Sequence, residues 1–255
     1  MTEFLETITA EVMAILGDDC VFSHEDGPHN AKNDLSNSPS KLRTRLGKAD
    51  GEPIIIAFML DGTVDRAELG FNAHHVLPAD AAVNASKKLL KEMKKGKHLK
   101  GDVGYGVNHK NNGVFLPTED RWDAGKYGKW SALQKTQDGY RLPYAYAYWA
   151  MRLTGRQFHT AHPDYSRWVK QRLEEIRIKM LAMKDACKKC EKKNAEEPFN
   201  PPYQLVRKLD SIADHVRGYL TGSPKRWLMP LITSPEAEFY GAGITPETMA
   251  AVARS

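Results

Sequence analysis

Phe71–Asp80, FNAHHVLPAD, sets two histidines side by side, directly after a stretch with the character of a strand and before one with the character of a helix. Adjacent side chains on a regular strand project to opposite faces. His74 and His75 therefore reach one cleft only where the strand bends, bulges or ends, and Pro78, which has no amide hydrogen to give a ladder, favours an ending. Upstream, Pro53–Leu60 is rich in isoleucine and is followed by the turn signal Asp61-Gly62-Thr63, so it reads as a buried strand. Downstream, Pro78–Gly101 reads as a helix with a strongly basic continuation. Strands leading into helices, with more helices at both ends, predict an α+β chain.

The bounds are consistent with that reading. At 255 residues, with 41% hydrophobic and 27% charged, the chain can bury a substantial core as one domain or two small ones. Its longest apolar run, Ile54–Leu60, is far short of the roughly 18 residues of a membrane span. The opening MTEFLETITAEVMAILG has acidic residues and neither a basic n-region nor a small-residue cleavage site. Three cysteines make no disulfide framework and favour folding in a reducing cytoplasm, with any export by a route other than a Sec-type signal. The net charge of +5 matters less than its distribution: residues 87–110 hold eight lysines against two acids, Glu92 and Asp102. Such a run is either a solvated helix face or a contact for a phosphate backbone, to which lysines give sequence-independent affinity.

Along the chain, Leu5, Ile8, Val12 and Ile15 follow a helical period between Thr2, an N-cap, and Gly17, a stop. Residues 23–40 are polar, with Gly and Pro but no apolar period, and read as a surface loop whose His24 and His29 are solvated rather than metal-bound. Gly101–Pro117 is a glycine- and asparagine-rich loop feeding a short strand, Val114–Leu116; its glycines are too irregular for a nucleotide-binding turn. Thr118–Gly139 reads as a polar insertion, and Pro143–Leu153 as a helix ending at Gly155 with its tyrosines in the core. From Pro163 a heptad runs through Val169, Leu173, Ile176, Met180, Met183, Cys187 and Cys190, and a second through Leu205, Leu209, Ile212, Val216 and Tyr219. The two predict a long C-terminal helical hairpin. On this seam the CKKC cysteines read as small buried hydrophobes, since no second CxxC completes a four-ligand site. Thr245-Pro246-Glu247 predicts one more capped helix. The expected organisation is a helix, loop and strand over 1–70, a core over 71–193 and a helical extension over 194–255 packing on the core.

Four of the nine histidines form two close pairs, His74 with His75 and His159 with His162. Imidazole is the commonest transition-metal ligand and the one side chain whose ordinary pKa lets it act as a base near neutrality. The two pairs can therefore supply both a metal site and a general base. His159 and His162, three residues apart at the start of the long helix, share a face if that helix starts early enough.

In order, NAHHVLP, a basic helix, NNGVFLP and HTAHPDYSRWVKQRL resemble the AHH family of nucleases in the HNH and endonuclease VII superfamily, over roughly Phe71 to Ile176. The resemblance implies a ββα-metal core embedded in a mainly helical domain, one divalent metal (Mg2+, Mn2+ or Zn2+), a phosphodiester substrate, and use as a toxin in competition between bacteria. It implies that His74 binds the metal, His75 activates water, and Asn112 stands at the central asparagine position, where it either hydrogen-bonds His75 or carries the strand pairing. It leaves His159 and His162 competing to close the site from the helix. Lys87, Lys88, Lys91, Lys94, Lys95, Lys97 and Lys110 would hold the nucleic-acid backbone without reading sequence.

The expectation is thus a metal-dependent, largely sequence-nonspecific endonuclease, acting on DNA rather than RNA. Its partners would be nucleic acid, a cognate immunity protein acidic enough to meet the lysines, and secretion machinery that carries an effector made in the cytoplasm to a target cell. Two other classes stand beside it. A zinc-stabilised, non-catalytic nucleic-acid-binding module is disfavoured by the missing cysteine set. A helical adaptor or assembly protein is disfavoured by the ordered His, Asn and His motifs.

Overall fold

The computed structural model describes residues 2–22, 32–135, 137–191 and 197–249. His24 and His29 lie outside these residues. The fold is α+β. Three strands, β1 (Ile54–Leu60), β2 (Thr63–His75) and β3 (Gly113–Thr118), form a sheet in the order β1-β2-β3. The α-helices among the described residues are α1 (Thr2–Leu16), α2 (Pro39–Leu46), α3 (Lys87–Lys91), α4 (Ala124–Tyr127), α5 (Trp130–Leu133), α6 (Gln137–Thr154), α7 (Pro163–Asp185), α8 (Lys188–Glu191), α9 (Gln204–Leu220) and α10 (Pro235–Gly241). No helix of the described residues is long and apolar enough to cross a membrane.

The chain divides into two compact units. One comprises residues 1–42, 75–113 and 166–216; the other comprises 43–74, 114–165 and 217–255.

In the first unit the apolar faces of the long helices are buried where the heptads predict: Val169, Leu173, Ile176 and Met180 on α7, and Leu205, Leu209, Ile212 and Val216 on α9. Helix α1 buries Ile8, Val12 and Leu16, a step of four that replaces the expected Ile15 with its neighbour. Polar clamps fix α1 to both long helices. Arg172 donates to the Thr9 hydroxyl, Lys179 Nζ to the Met13 carbonyl (3.3 Å) and Lys208 Nζ to the Ile15 carbonyl (3.1 Å), while His215 Nε2 lies 3.0 Å from Glu11 Oε2.

Two expectations fail here. Pro78–Gly101 is not one helix: a single π-helical turn at Ala79–Val83 is followed by the short α3, and turns replace helix beyond Lys91. Lysines at i, i+3 and i+4 repel along a helix face, and between Lys87 and Lys97 only Leu89, Leu90 and Met93 are buried to oppose that repulsion. The second failure is α7, which stops at Asp185, before the cysteines. The Cys187 N–H bonds back to the Lys184 carbonyl (3.1 Å), which tightens the last turn, and α8 then starts afresh.

In the second unit β1 and β2 form a hairpin with Leu60 opposite Thr63. Asp61 and Gly62 both take positive φ, 52° and 75°, the conformation a two-residue turn needs to match strand twist. The β1 strand is not buried on both faces, as its isoleucines suggest. It is an edge strand that turns Ile56 and Phe58 inward and leaves Ile55 68% exposed. Helix α6 begins at Gln137, earlier than expected, and carries Pro143 within it; Tyr146 donates to the Glu68 carbonyl (2.9 Å) and packs edge-on against Phe58. The expected polar insertion contributes to the core, because Trp122 and Trp130 pack on Tyr146, Trp130 stacks on Phe158, and Tyr127 packs on Trp122 and Phe58. Edge-to-face and stacked rings of this kind add about 0.5–1.5 kcal/mol per pair beyond the area they bury. Toward the C-terminus the Thr245 hydroxyl accepts from the Thr248 N–H (3.3 Å), as an N-cap does, and most of the helix expected beyond it lies outside the described residues.

Candidate active site

The end of β2 and the loop before α7 bring three imidazoles together in the second unit. The ligand nitrogens of His74, His159 and His162 all lie within 4.8 Å of one another, with Nε2 of His159 and Nε2 of His162 3.1 Å apart. The ring centroids are mutually 4.9–5.0 Å apart. Neither His159 nor His162 is on the helix, contrary to the expectation that they share a helical face: α7 begins at Pro163, where a missing N–H is without cost. Their loop is instead pinned from both sides. The His159 N–H donates to the Pro117 carbonyl (2.8 Å) on β3, and the Thr160 N–H to the Thr233 carbonyl (2.9 Å).

Gln157 sets up this geometry. It is fully buried, and its side-chain amide and backbone N–H are hydrogen-bonded. Its amide nitrogen donates to the Leu231 carbonyl (2.9 Å), its oxygen accepts from the Thr233 N–H (2.9 Å) and hydroxyl (3.0 Å), and its backbone N–H donates to the Leu220 carbonyl (2.9 Å). The following residues, Phe158 and His159, are thereby held in place. Tyr165, fully buried on the first turn of α7, packs its ring 5.5 Å from His74 and 5.4 Å from His162. A cavity of about 220 Å³ lined by His162, Asp164, Ser234 and Glu238, among others, opens beside the cluster.

The donor set fits a metal ion. Two imidazole nitrogens, each about 2.0 Å from one ion at a tetrahedral angle, are separated by roughly 3.3 Å, close to the 3.1 Å observed. Burial, with the neighbouring His162 adding to it, lowers the His159 pKa to about 4, and burial also lowers that of His162, so both rings are neutral near pH 7 with a lone pair to offer. Three ligands leave open positions for substrate, the pattern of catalytic rather than structural sites.

His75, the next residue along β2, belongs to the first unit and has different partners. Its Nε2 lies 3.0 Å from Asn108 Oδ1. The Asn108 amide is oriented by its own contacts: Nδ2 donates to the Ser36 carbonyl (2.8 Å) and faces Asp34 (3.4 Å), so Oδ1 is the atom turned to the histidine. Oδ1 is only an acceptor. Nε2 therefore carries the ring proton, and Nδ1 keeps the lone pair. Burial lowers the His75 pKa, opposed by the Asn108 hydrogen bond and the Asp80 charge, and the ring is a neutral base near pH 7.

Asn112 is bonded to the chain that follows β2. Its side chain accepts from the Leu77 N–H (2.7 Å) and donates to the Leu77 (3.1 Å) and Val107 (2.8 Å) carbonyls, while its carbonyl accepts from the Val76 N–H (3.0 Å). It braces the chain that leaves β2 and does not touch the imidazole. Asn108 was missed in the sequence because VNHKNNG offers three asparagines within five positions and nothing local distinguishes them. Gln157 and Tyr165 carry no local signal at all.

The lysines collect in the first unit. Lys87, Lys91, Lys94, Lys95 and Lys97 line an open groove of about 580 Å³ with Leu90 and His98. Lys88 shares a neighbouring 390 Å³ hollow with Lys87, Lys170 and Glu174, and Lys110 is exposed on the turn that precedes β3.

No curated protein and no solved structure matches the chain. A family model does match, over residues 57–200: AHH, a nuclease family of the HNH/ENDO VII superfamily with conserved AHH. The match spans more than half of the sequence, and it includes the Ala73-His74-His75 triplet at the end of β2 and both histidines ahead of α7. The chain belongs to the AHH family of nucleases.

Proposed function

We propose that this nuclease is a metal-dependent, largely sequence-nonspecific endonuclease that acts on DNA, with His74, His159 and His162 holding one divalent ion (Mg2+, Mn2+ or Zn2+) and His75 as general base. The observation that carries the reading is the convergence of three imidazole nitrogens within 4.8 Å, next in sequence to a histidine whose tautomer is fixed. A bound ion would polarise the phosphoryl oxygens and stabilise the departing alkoxide. The chain's own residues supply the rest. His75 Nδ1 takes a proton from the attacking water, a role worth ~10²–10⁴-fold. Asn108 holds the tautomer that makes Nδ1 the base, and Asn112 braces the strand end that carries both histidines. Lys87, Lys88, Lys91, Lys94, Lys95, Lys97 and Lys110 are exposed and hold the phosphate backbone without reading bases.

The reading extends to an antibacterial effector that acts in a target cell, with a cognate immunity protein in the producer. The exposed lysines are a surface that an acidic inhibitor would meet. Plasmid digestion with Mg2+, Mn2+ or Zn2+ tests the chemistry: wild type cleaves and His75→Ala does so far more slowly, whereas cleavage independent of metal or undiminished in His75→Ala overturns the mechanism. Growth tests the biology, because inducing the wild type in a host without an immunity partner should harm cells far more than inducing His75→Ala.

A further inference from the structure

All three cysteines of the chain converge in the first unit, away from the histidines in sequence and in partners. The sulfurs of Cys20, Cys187 and Cys190 lie within 4.8 Å of one another, with Cys20 Sγ 3.6 Å from Cys190 Sγ. None of the three is in a disulfide. Cys20 follows α1 and is 170 residues from Cys190, whereas Cys187 and Cys190 flank the turn where α7 ends and α8 starts. A CxxC turn supplies two ligands from one local structure, and a remote third completes a face of a coordination shell.

We infer that these cysteines form a second metal site, distinct in chemistry from the histidine cluster, that takes a soft thiophilic ion, zinc in the first place. Two sulfurs, each about 2.3 Å from one zinc at a tetrahedral angle, lie roughly 3.8 Å apart, against the 3.6 Å observed; a disulfide requires about 2.05 Å and uses only two of the three sulfurs. The thiols give their protons to solvent as the ion binds. Thiolates select zinc and other soft ions over Mg2+ and Mn2+, so the two sites hold different ions wherever the histidine cluster takes Mg2+ or Mn2+. The structural ion would fasten the segment after α1 to the α7–α8 turn, adding to the clamps from Lys179 and Lys208.

The test uses the full chain, reduced and stripped of metal, and reads sulfur rather than activity. Titration with Cd2+ should produce a thiolate-to-metal charge-transfer absorbance that saturates at one equivalent. Zinc should protect all three thiols from a thiol reagent and raise the melting temperature. Cys187→Ser, at a half-buried position where folding is least at risk, should lose most of the absorbance, and His159→Ala should keep it. Absence of the band in wild type, thiols that react equally fast with and without zinc, or a Cys20–Cys190 disulfide that zinc does not prevent would overturn the inference.

Discussion

Asn108 gives the sharpest test of how His75 is prepared for its role. It is fully buried, and its side chain meets His75 Nε2 (3.0 Å), the Ser38 N–H (3.3 Å) and the Ser36 carbonyl (2.8 Å). Asn108→Ala leaves three groups without that partner. Of these only the His75 nitrogen is buried, so the cost is about 1–3 kcal/mol for one buried group left without its partner, which a domain of ~5–15 kcal/mol total stability survives. The Nε2–H tautomer loses its fixing acceptor, and removal of an orienting partner of this kind costs ~10–100-fold in rate. Two substitutions should also move the pH profile in opposite directions. The wild-type rate falls as pH drops through the His75 pKa, because protonation removes the base. The Asn108 hydrogen bond raises that pKa against the larger effect of burial, so Asn108→Ala moves the acid limb to lower pH. Asn108→Asp places a carboxylate against the ring, favours the imidazolium, and moves the limb to higher pH. The assay is single-turnover plasmid cleavage from about pH 5 to 8, across the range in which histidine titrates, with circular dichroism to establish folding. Two folded variants with wild-type rates and an unmoved limb would refute this account of the tautomer.

Protonation should weaken the metal-free protein from a predictable side. The His159 pKa is about 4 against an ordinary 6.5, and those of His75 and His162 are also lowered, so the unfolded chain binds more protons in this window. Stability is fully present above about pH 6.5 and falls as pH drops toward about 4; urea midpoints that do not change across that range would contradict the assignment of neutral rings. Gln157→Leu removes the partners of the Leu231 carbonyl and the Thr233 N–H, while the Thr233 hydroxyl keeps the Phe158 carbonyl, and should lower the urea stability by about 2 kcal/mol or more, as well as weaken activation by Mn2+. Replacing Lys94, Lys95 and Lys97 with Ala should weaken DNA binding uniformly across sequences and reduce the slope of log K against log salt by about 0.9 for each phosphate that the protein no longer neutralises; filter binding at several salt concentrations reads this directly.

What the sequence made legible follows from what is local. The heptads specify α7 and α9 because buried positions recur at a period that a single helix imposes, and Val169 through Met180 are buried as that pattern requires. The Asp61-Gly62 turn is likewise local. The basic run after Pro78 misleads because charge says nothing of what α3 packs against, and the isoleucines of β1 mislead because only sheet order decides which strand is at the edge. At the candidate site, the paired histidines are visible as chemistry. Their convergence is not, since His159 reaches His74 through a backbone bond to Pro117 and a glutamine network anchored at Leu231 and Thr233. The cysteines are the same problem over a longer range: CKKC is plain in the sequence, while Cys20, which completes the cluster, is 167 residues from Cys187.

The central claim is a division of labour between neighbouring histidines, and the cleavage rate as a function of Mn2+ concentration tests it most directly. His75→Ala should keep the wild-type half-saturating Mn2+ while its maximal rate falls ~10²–10⁴-fold. His159→Ala and His162→Ala should raise the half-saturating Mn2+, with activity partly restored at high metal. A His75→Ala protein that cleaves at the wild-type rate, or His159→Ala and His162→Ala proteins that saturate at the wild-type Mn2+ concentration, would contradict it.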